Sequence, residues 1–281
     1  MKKRYIVLYI IVMLIALSLM GYGIYKVYTQ SQQTKEAEEI VEAGKEIYNQ
    51  YINGLNTEEA SEPKHSENDS ESPTYIDEEG IVHYLDAFVT DGKGLIHALQ
   101  TRYGNTDVVA YLVIEAYDLY TPILWHDGDY KYYLRHNIYG DYSYNGSIYL
   151  DSDCRPDFLN AGNMIYGHNM LDGMMFGRLE KTINELGIEG VEVVIYTDSE
   201  KLVYKPIIYG PVAALDRGFY VTPEEPEDGF FVSGFSEKYG KPCPEGYNNY
   251  LTLMTCYYKD ASRQRFCLTC GLISRTRIGC Y

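Results

Sequence analysis

The hydrophobic pattern near the start of the chain predicts two helices. Residues 5–25, which number 21, carry no charge. About 20 apolar helical residues span the hydrocarbon core of a bilayer. The basic residues at positions 2–4 predict that the N-terminus is cytoplasmic. A cleaved signal peptide is the competing interpretation, but residues 22–26 make a poor cleavage site. In residues 35–51, apolar side chains recur at helical spacing, which predicts an amphipathic helix.

Residues 57–79 have the composition of a linker. They carry nine acidic residues against Lys64 alone, and such a segment buries too little apolar surface to order itself. A further helical segment is expected at about residues 94–103. These features divide the chain into a cytoplasmic tail at 1–4, a transmembrane anchor at 5–25, an extracellular helix and acidic linker at 26–80, and a main domain at 81–281.

The main domain is predicted to be mainly β, within an α+β class. Seven β-rich runs, separated by Gly, Pro, Asn and Asp, favour an antiparallel barrel or sandwich. Residues 222–249 are long for a connection, and Phe231, Phe235 and Tyr239 within them fall at helical spacing, so a helix is expected there. The clearest β-rich runs are 108–114, 146–150, 163–166, 191–196, 203–215, 250–255 and 265–273.

The composition excludes some classes of partner and cofactor. The chain is 46% hydrophobic and 23% charged, as expected for a packed core, and its net charge of −16 argues against a nucleic-acid partner. Its six cysteines form no familiar disulfide framework. Cys267 and Cys270 lie in a predicted strand, where residues three apart point to opposite faces. We therefore expect most cysteines to be buried and inert, with no metal site and no cofactor.

Three residues at predicted strand ends have the chemistry of a nucleophilic site. His168 follows an apolar run and a glycine, Cys256 ends another run, and Arg265 opens the last one. A cysteine attacks carbonyl groups, a nearby histidine can transfer the protons, and a guanidinium can stabilise an oxyanion. Each residue also has an ordinary interpretation, as a structural histidine, an inert core cysteine or a surface arginine.

The motifs around these residues resemble those of class B sortases, the cysteine transpeptidases of Gram-positive bacteria. The run Thr252-Leu253-Met254-Thr255-Cys256 matches the T-L-x-T-C motif of that family at every fixed position. The run Tyr166-Gly167-His168-Asn169-Met170 is similar to the segment around the family's histidine. The resemblance extends in order from about Asp107 to Ile273. Cys267, Cys270, Cys280 and the pair Trp125-His126 depart from the class pattern.

The resemblance implies a fold, an activity and roles for single residues. The fold would be a closed barrel of about eight strands, with N-terminal helices and a helix in the long loop before the nucleophile strand. Cys256 would form a thioester with the threonine of a C-terminal sorting signal, and His168 would be the general acid and then the general base. Arg265 would hold the oxyanion, with Arg263 as a near rival. Substrate contacts are expected at Leu134, Asn137, Thr255 and Tyr257.

The resemblance also implies partners and a location. The substrates would be secreted proteins that carry a sorting-signal pentapeptide, and the acceptor would be an amine of a peptidoglycan precursor or a pilin lysine. The chain would be a single-pass protein of the cell membrane with its catalytic domain outside. Two other functions stay open: a papain-like cell-wall peptidase that hydrolyses, and a surface binding domain in which Cys256 is inert.

Overall fold

The computed structural model of the chain describes residues 2–58, 74–76, 82–86, 94–213, 247–257 and 264–278. The described part has three α-helices and ten β-strands, with two short 3-10 turns at Glu115–Tyr117 and Tyr132–Leu134. The helices are α1 (Lys2–Glu58), α2 (Leu95–Tyr103) and α3 (Leu179–Leu186). The strands are β1 (Thr74–Ile76), β2 (Val82–Asp86), β3 (Val108–Ile114), β4 (Leu119–Leu124), β5 (Tyr149–Leu150), β6 (Gly162–Tyr166), β7 (Val193–Tyr196), β8 (Glu200–Ala213), β9 (Tyr250–Cys256) and β10 (Gln264–Ile278).

Eight of these strands close into a barrel. The hydrogen-bonded order is β10-β8-β7-β3-β4-β5-β6-β9, and the pairing of β9 with β10 closes the ring. The pairs β4–β5 and β6–β9 are parallel, and the other pairs in the ring are antiparallel. The predicted eight-stranded closed barrel is therefore confirmed, although it is a mixed barrel rather than an antiparallel one.

Strand β3 has both faces covered, which explains its unbroken apolar sequence. Ala110, Leu112 and Ile114 belong to the barrel core, whereas Tyr111 and Val113 belong to a second cluster formed with α1 and α2. Because side chains alternate across a strand, a strand buried on both faces needs apolar residues at every position. The helices thus cover one outer side of the barrel.

The predicted anchor segment and the predicted amphipathic helix lie in one continuous helix, α1. Residues 5–28 of α1 are exposed, and the helix is long and apolar enough by composition to cross a membrane. Farther along, Ala37 and Tyr48 are buried against the domain. The Tyr48 ring stacks on that of Tyr111 with 5.7 Å between the ring centroids.

The other predicted elements agree with the structure only in part. Helix α2 matches the segment expected at 94–103. Strand β4 is not among the predicted runs; it contains Pro122, a residue type that is disfavoured in central strands. Helix α3 was not predicted either. Strand β1 falls within the predicted linker and pairs with β2, whereas residues 59–73 and 77–81 and the helix expected within 222–249 lie outside the described residues.

Gly44 sets how closely α1 approaches the barrel. A Cβ added at Gly44 would lie 3.2 Å from Tyr103 Oη and 3.2 Å from atoms of the Tyr111 side chain.

We predict that Gly44→Leu lowers the free energy of unfolding by about 1–3 kcal/mol, because the larger side chain overpacks this contact. Thermal unfolding of the full chain in detergent, followed by circular dichroism, measures the change. Asn49→Leu, on the exposed face of α1, is the control, and an equal effect of both variants would contradict the account.

Candidate active site

Cys256 and Arg265 lie opposite each other on two paired strands. Cys256 is the last residue of β9, Arg265 is the second residue of β10, and the two are direct partners in the antiparallel ladder. Side chains of directly opposed residues have Cβ atoms about 4.5–5.5 Å apart. The strand pairing itself therefore brings the guanidinium side chain to the nucleophile candidate.

His168 reaches the same place through the parallel pairing of β6 with β9. Tyr166 pairs with Met254, and the Gly167 amide donates a 3.1 Å hydrogen bond to the Met254 carbonyl. His168 and Cys256 each follow two residues after that pair. Gly167 is required here, because an added Cβ would lie 2.6 Å from Cδ2 of Phe176.

A hydrogen bond to Leu134 fixes the tautomer of His168. The His168 Nε2 atom lies 2.8 Å from the Leu134 carbonyl oxygen, which only accepts hydrogen bonds. Nε2 therefore carries a proton in both charge states of the ring. It follows that Nδ1 is the nitrogen that gains and loses a proton as the ring titrates.

Burial is the main influence on the charge of His168. Burial lowers the pKa of the His168 imidazole below its ordinary value of 6.5. The Leu134 carbonyl acts in the opposite direction, and the positive charges of Arg135 and Arg265 lower the pKa further. At neutral pH the ring is therefore mainly neutral, and Nδ1 is free to accept a proton.

The three residues share one cavity of about 440 Å³, which lies in the range of small-molecule and peptide sites. Cys256 carries a partly exposed thiol, whereas the thiols of Cys154, Cys267 and Cys270 are buried. Burial also raises the pKa of the Cys270 thiol. Of the cysteines that the structure describes, Cys256 is thus the one with access to a substrate. The cavity is lined by Tyr130, Lys131, Leu134, Tyr149, Tyr166, Gly167, His168, Met254, Thr255, Cys256 and Arg265.

The structure brings together some of the expected substrate contacts and not others. Leu134 and Thr255 line the cavity with the catalytic candidates. Asn137 lies elsewhere, beneath α1, where its side-chain amide donates a 3.1 Å hydrogen bond to Glu36 Oε1. Tyr257 is not among the lining residues, and it packs partly against the barrel core.

The sequence assigned no role to Asn169, although it follows His168 directly. Asn169 Nδ2 donates a 2.7 Å hydrogen bond to the carbonyl oxygen of Cys256. This bond ties the segment after the histidine to the end of the nucleophile strand. The adjacency to His168 within the quoted motif was the one signal in the sequence that pointed to Asn169.

Two other described histidines, His126 and His136, have structural partners. The ring of Tyr132 is stacked between His126 and His136, with 4.1 Å between ring centroids on each side. His126 also contacts Asp107. Within the described ranges, no group of three or more His, Cys, Asp or Glu residues could hold a metal ion.

A cysteine, a neutral histidine and an arginine in one cleft define a class of enzyme. The arrangement can form a thioester on sulfur, transfer protons through Nδ1 and hold a negative oxygen. The chain is therefore a cysteine acyl-transfer enzyme built on a closed mixed barrel.

Comparison with known proteins narrows this class. The chain is 28% identical over 211 residues to sortase B of Listeria monocytogenes, a match covering 72% of this chain and 85% of the relative. Sortase B of Bacillus anthracis matches with a TM-score of 0.57 and 20% identity, over 86% of this chain and 99% of that one. Sortase B of Staphylococcus aureus matches with a TM-score of 0.52 and 19% identity, over 64% and 85%. No family model matches the chain.

The chain is a homologue of sortase B, so the predicted class B resemblance is confirmed. The homology indicates a cysteine transpeptidase of the sortase B type, and the solved structures share its barrel fold.

We predict that His168 titrates below pH 6.5. Because the unfolded chain binds the proton more readily than the buried ring, His168 makes stability fall as the pH drops below 6.5 towards the folded pKa. NMR of the chain with carbon-13-labelled histidine measures the midpoint, and the His168→Gln variant identifies the signal by its loss. The same variant should flatten the dependence of the unfolding free energy on pH in that window. A midpoint above 6.5 would contradict the burial argument.

Proposed function

We propose that the chain cleaves a C-terminal sorting signal after threonine, forms a thioester on Cys256 and transfers the protein to an amine. The acceptor is an amine of peptidoglycan or, as a variant, a pilin lysine. The observation that carries the proposal is the shared cleft of His168, Cys256 and Arg265, which comes from three adjacent strands.

The first half-reaction moves one proton through His168. The sulfur of Cys256 attacks the threonine carbonyl carbon, and the thiol proton passes to Nδ1. As the C–N bond breaks, Nδ1 gives this proton to the departing amine, and the thioester remains on sulfur. A histidine that is neutral at rest suits this cycle, because it must accept the proton before it donates it.

The second half-reaction runs the same path in reverse. The incoming amine attacks the thioester carbon, Nδ1 takes a proton from the amine nitrogen, and the C–S bond breaks. The proton then returns to the sulfur, so the enzyme is regenerated. The Nε2–Leu134 hydrogen bond holds the proton on Nε2, so Nδ1 would be the nitrogen that exchanges protons in both steps.

Arg265 is the proposed oxyanion partner in both steps. Among the described residues, its side chain makes one hydrogen bond, from Nη1 to the Gln264 carbonyl at 3.2 Å, and forms no ion pair. Its remaining N–H groups can therefore donate to the threonine carbonyl oxygen, where negative charge develops.

The proposed substrate contacts are those that line the cleft. Thr255 lines the cleft beside Cys256, and its side chain is buried, so it would shape the wall against which a peptide lies. Leu134 offers an apolar wall. Asn137 lies beneath α1, and Tyr257 follows Cys256 directly without being among the residues that line the cleft. A substrate contact by Tyr257 would be made at the margin of the cleft.

Related structures support a peptide substrate and an amine acceptor. The Staphylococcus aureus structure is a sortase B–substrate complex, and another solved sortase B is complexed with triglycine. We propose the same two kinds of partner for this chain. The apolar part of α1 supports a membrane anchor, and the basic residues at positions 2–4 favour a cytoplasmic N-terminus with the barrel outside.

Hydrolysis and simple binding remain the competing functions. A hydrolase would use water in place of the amine at the second step. The order along the chain, with histidine first and cysteine at a strand end, differs from the papain-like order of cysteine first at a helix start. A binding domain would not need the accessible thiol of Cys256.

We predict that Cys256→Ala abolishes cleavage and that Arg265→Ala lowers kcat by about 100-fold or more, because an oxyanion partner is lost. The assay incubates the protein with a pool of sorting-signal peptides and triglycine, and mass spectrometry identifies the products. Cys154→Ala is the matched control, because that thiol is buried outside the cleft.

The products separate the competing functions. Fragments cut after threonine and joined to triglycine are the expected result. Fragments released only by water would indicate a hydrolase or an unsuitable acceptor. Cleavage retained by Cys256→Ala would show that Cys256 is not the nucleophile.

A further inference from the structure

An aromatic surface lies where the barrel meets the start of the docked part of α1. We call this surface the lower rim and define it as Tyr142, Tyr144 and Leu171. The side chains of Tyr142 and Tyr144 are 59% and 40% exposed, and Leu171 is fully exposed. The two tyrosine rings pack edge to face with 5.5 Å between their centroids.

Direct contacts place the lower rim at the end of the apolar segment. Lys26, the first charged residue after residues 5–25, has its Nζ 5.8 Å from the centre of the Tyr144 ring. The Tyr144 amide donates a 3.0 Å hydrogen bond to Gln33 Oε1. Gln33 lies about 10 Å along the helix axis beyond Lys26. The Tyr144 ring therefore extends from the level of Gln33 back towards that of Lys26.

The loop that follows His168 contacts α1 at nearly the same height along the helix axis as Tyr144 does. Thr34 Oγ1 donates a 2.8 Å hydrogen bond to Asp172 Oδ2, next to Leu171. Thr34 lies about 12 Å along the helix beyond Lys26. The base of this loop is Asn169, which holds the Cys256 carbonyl. The loop therefore links the catalytic strand ends to the part of α1 closest to its apolar segment.

The composition of the lower rim suits the headgroup layer of a bilayer. Tyrosine is enriched at membrane–water interfaces, where its ring is apolar and its hydroxyl is hydrated. Two cations, Lys26 and Arg135, lie within 6 Å of the Tyr144 ring centre, at 5.8 and 5.9 Å. The exposed apolar surface of α1 continues past Lys26 to Tyr28, and Gln33 lies about 8 Å beyond Tyr28 along the helix axis. This rise is comparable to the headgroup layer, which is roughly 5–8 Å thick on each side of the hydrocarbon core.

We propose that the lower rim rests in the outer headgroup layer of the bilayer that α1 crosses. The inference depends on the membrane anchor proposed above. Because α1 is continuous from its apolar segment to its docked segment, the barrel has a fixed height and orientation over the membrane. The His168 loop and the catalytic cleft then lie at the membrane-proximal end of the barrel.

Tryptophan probes at two heights test the proposal. The full chain carries Trp125→Phe, which removes the sole native tryptophan, together with either Tyr142→Trp or Tyr139→Trp. Tyr139 is the matched control: it is 47% exposed, and its ring packs against Tyr103, whose hydroxyl bonds to the Ile40 carbonyl. Ile40 lies about 21 Å beyond Lys26 along the helix.

Both proteins are reconstituted in phosphatidylcholine–phosphatidylglycerol vesicles with bromine on the upper acyl carbons. We expect at least about twofold stronger quenching, and a blue-shifted emission, for the probe at position 142 than for that at position 139. Adding Tyr144→Ser and Leu171→Ser to the Tyr142→Trp protein should reduce this quenching.

Other outcomes would contradict either the lower-rim proposal or the proposed membrane anchor. If the chain resists alkaline extraction from the vesicles but the two probes are quenched equally, the anchor holds and the lower-rim proposal fails. If alkaline extraction releases the chain, the proposed anchor itself is wrong and the rim proposal fails with it. Neither outcome bears on cleavage, because the three rim residues lie outside the catalytic cleft.

Discussion

Hydrogen bonding among three neighbouring strands positions the whole site. Strand β6 pairs in parallel with β9, β9 pairs antiparallel with β10, and the second pairing also closes the barrel. A shift of one residue in either register would turn a side chain to the opposite face. His168, Cys256 and Arg265 would then no longer share a cavity. Barrel closure and assembly of the site are thus a single structural event.

Burial on both sides of the barrel wall keeps these registers fixed. The core holds the inward residues of the strands, while α1 and α2 cover the outward residues of β3. At the site itself, burial lowers the pKa of His168, and the Leu134 carbonyl selects the tautomer. The strand registers thus place His168 in the cleft, and its burial there sets the direction of its pKa shift.

Much of this arrangement was predictable from the sequence, because the signals were local. Apolar runs marked most of the strands, and the T-L-x-T-C motif marked Cys256 at a strand end. What escaped prediction depends on tertiary contacts. The pairing of β4 despite Pro122, the bond from Asn169 to the Cys256 carbonyl and the position of Asn137 beneath α1 arise from distant parts of the chain. Sequence patterns also could not show that the anchor and the docked helix are continuous.

The central claim is that Cys256 carries an acyl group between the two half-reactions. Intact-protein mass spectrometry after rapid mixing with a sorting-signal peptide, in the absence of any amine, tests it most directly. We expect the protein mass to increase by the mass of the peptide fragment that ends in threonine. The adduct should map to the peptide that contains Cys256 and should disappear when triglycine is added. Peptide cleavage without any protein adduct, or an adduct on another residue, would contradict the account.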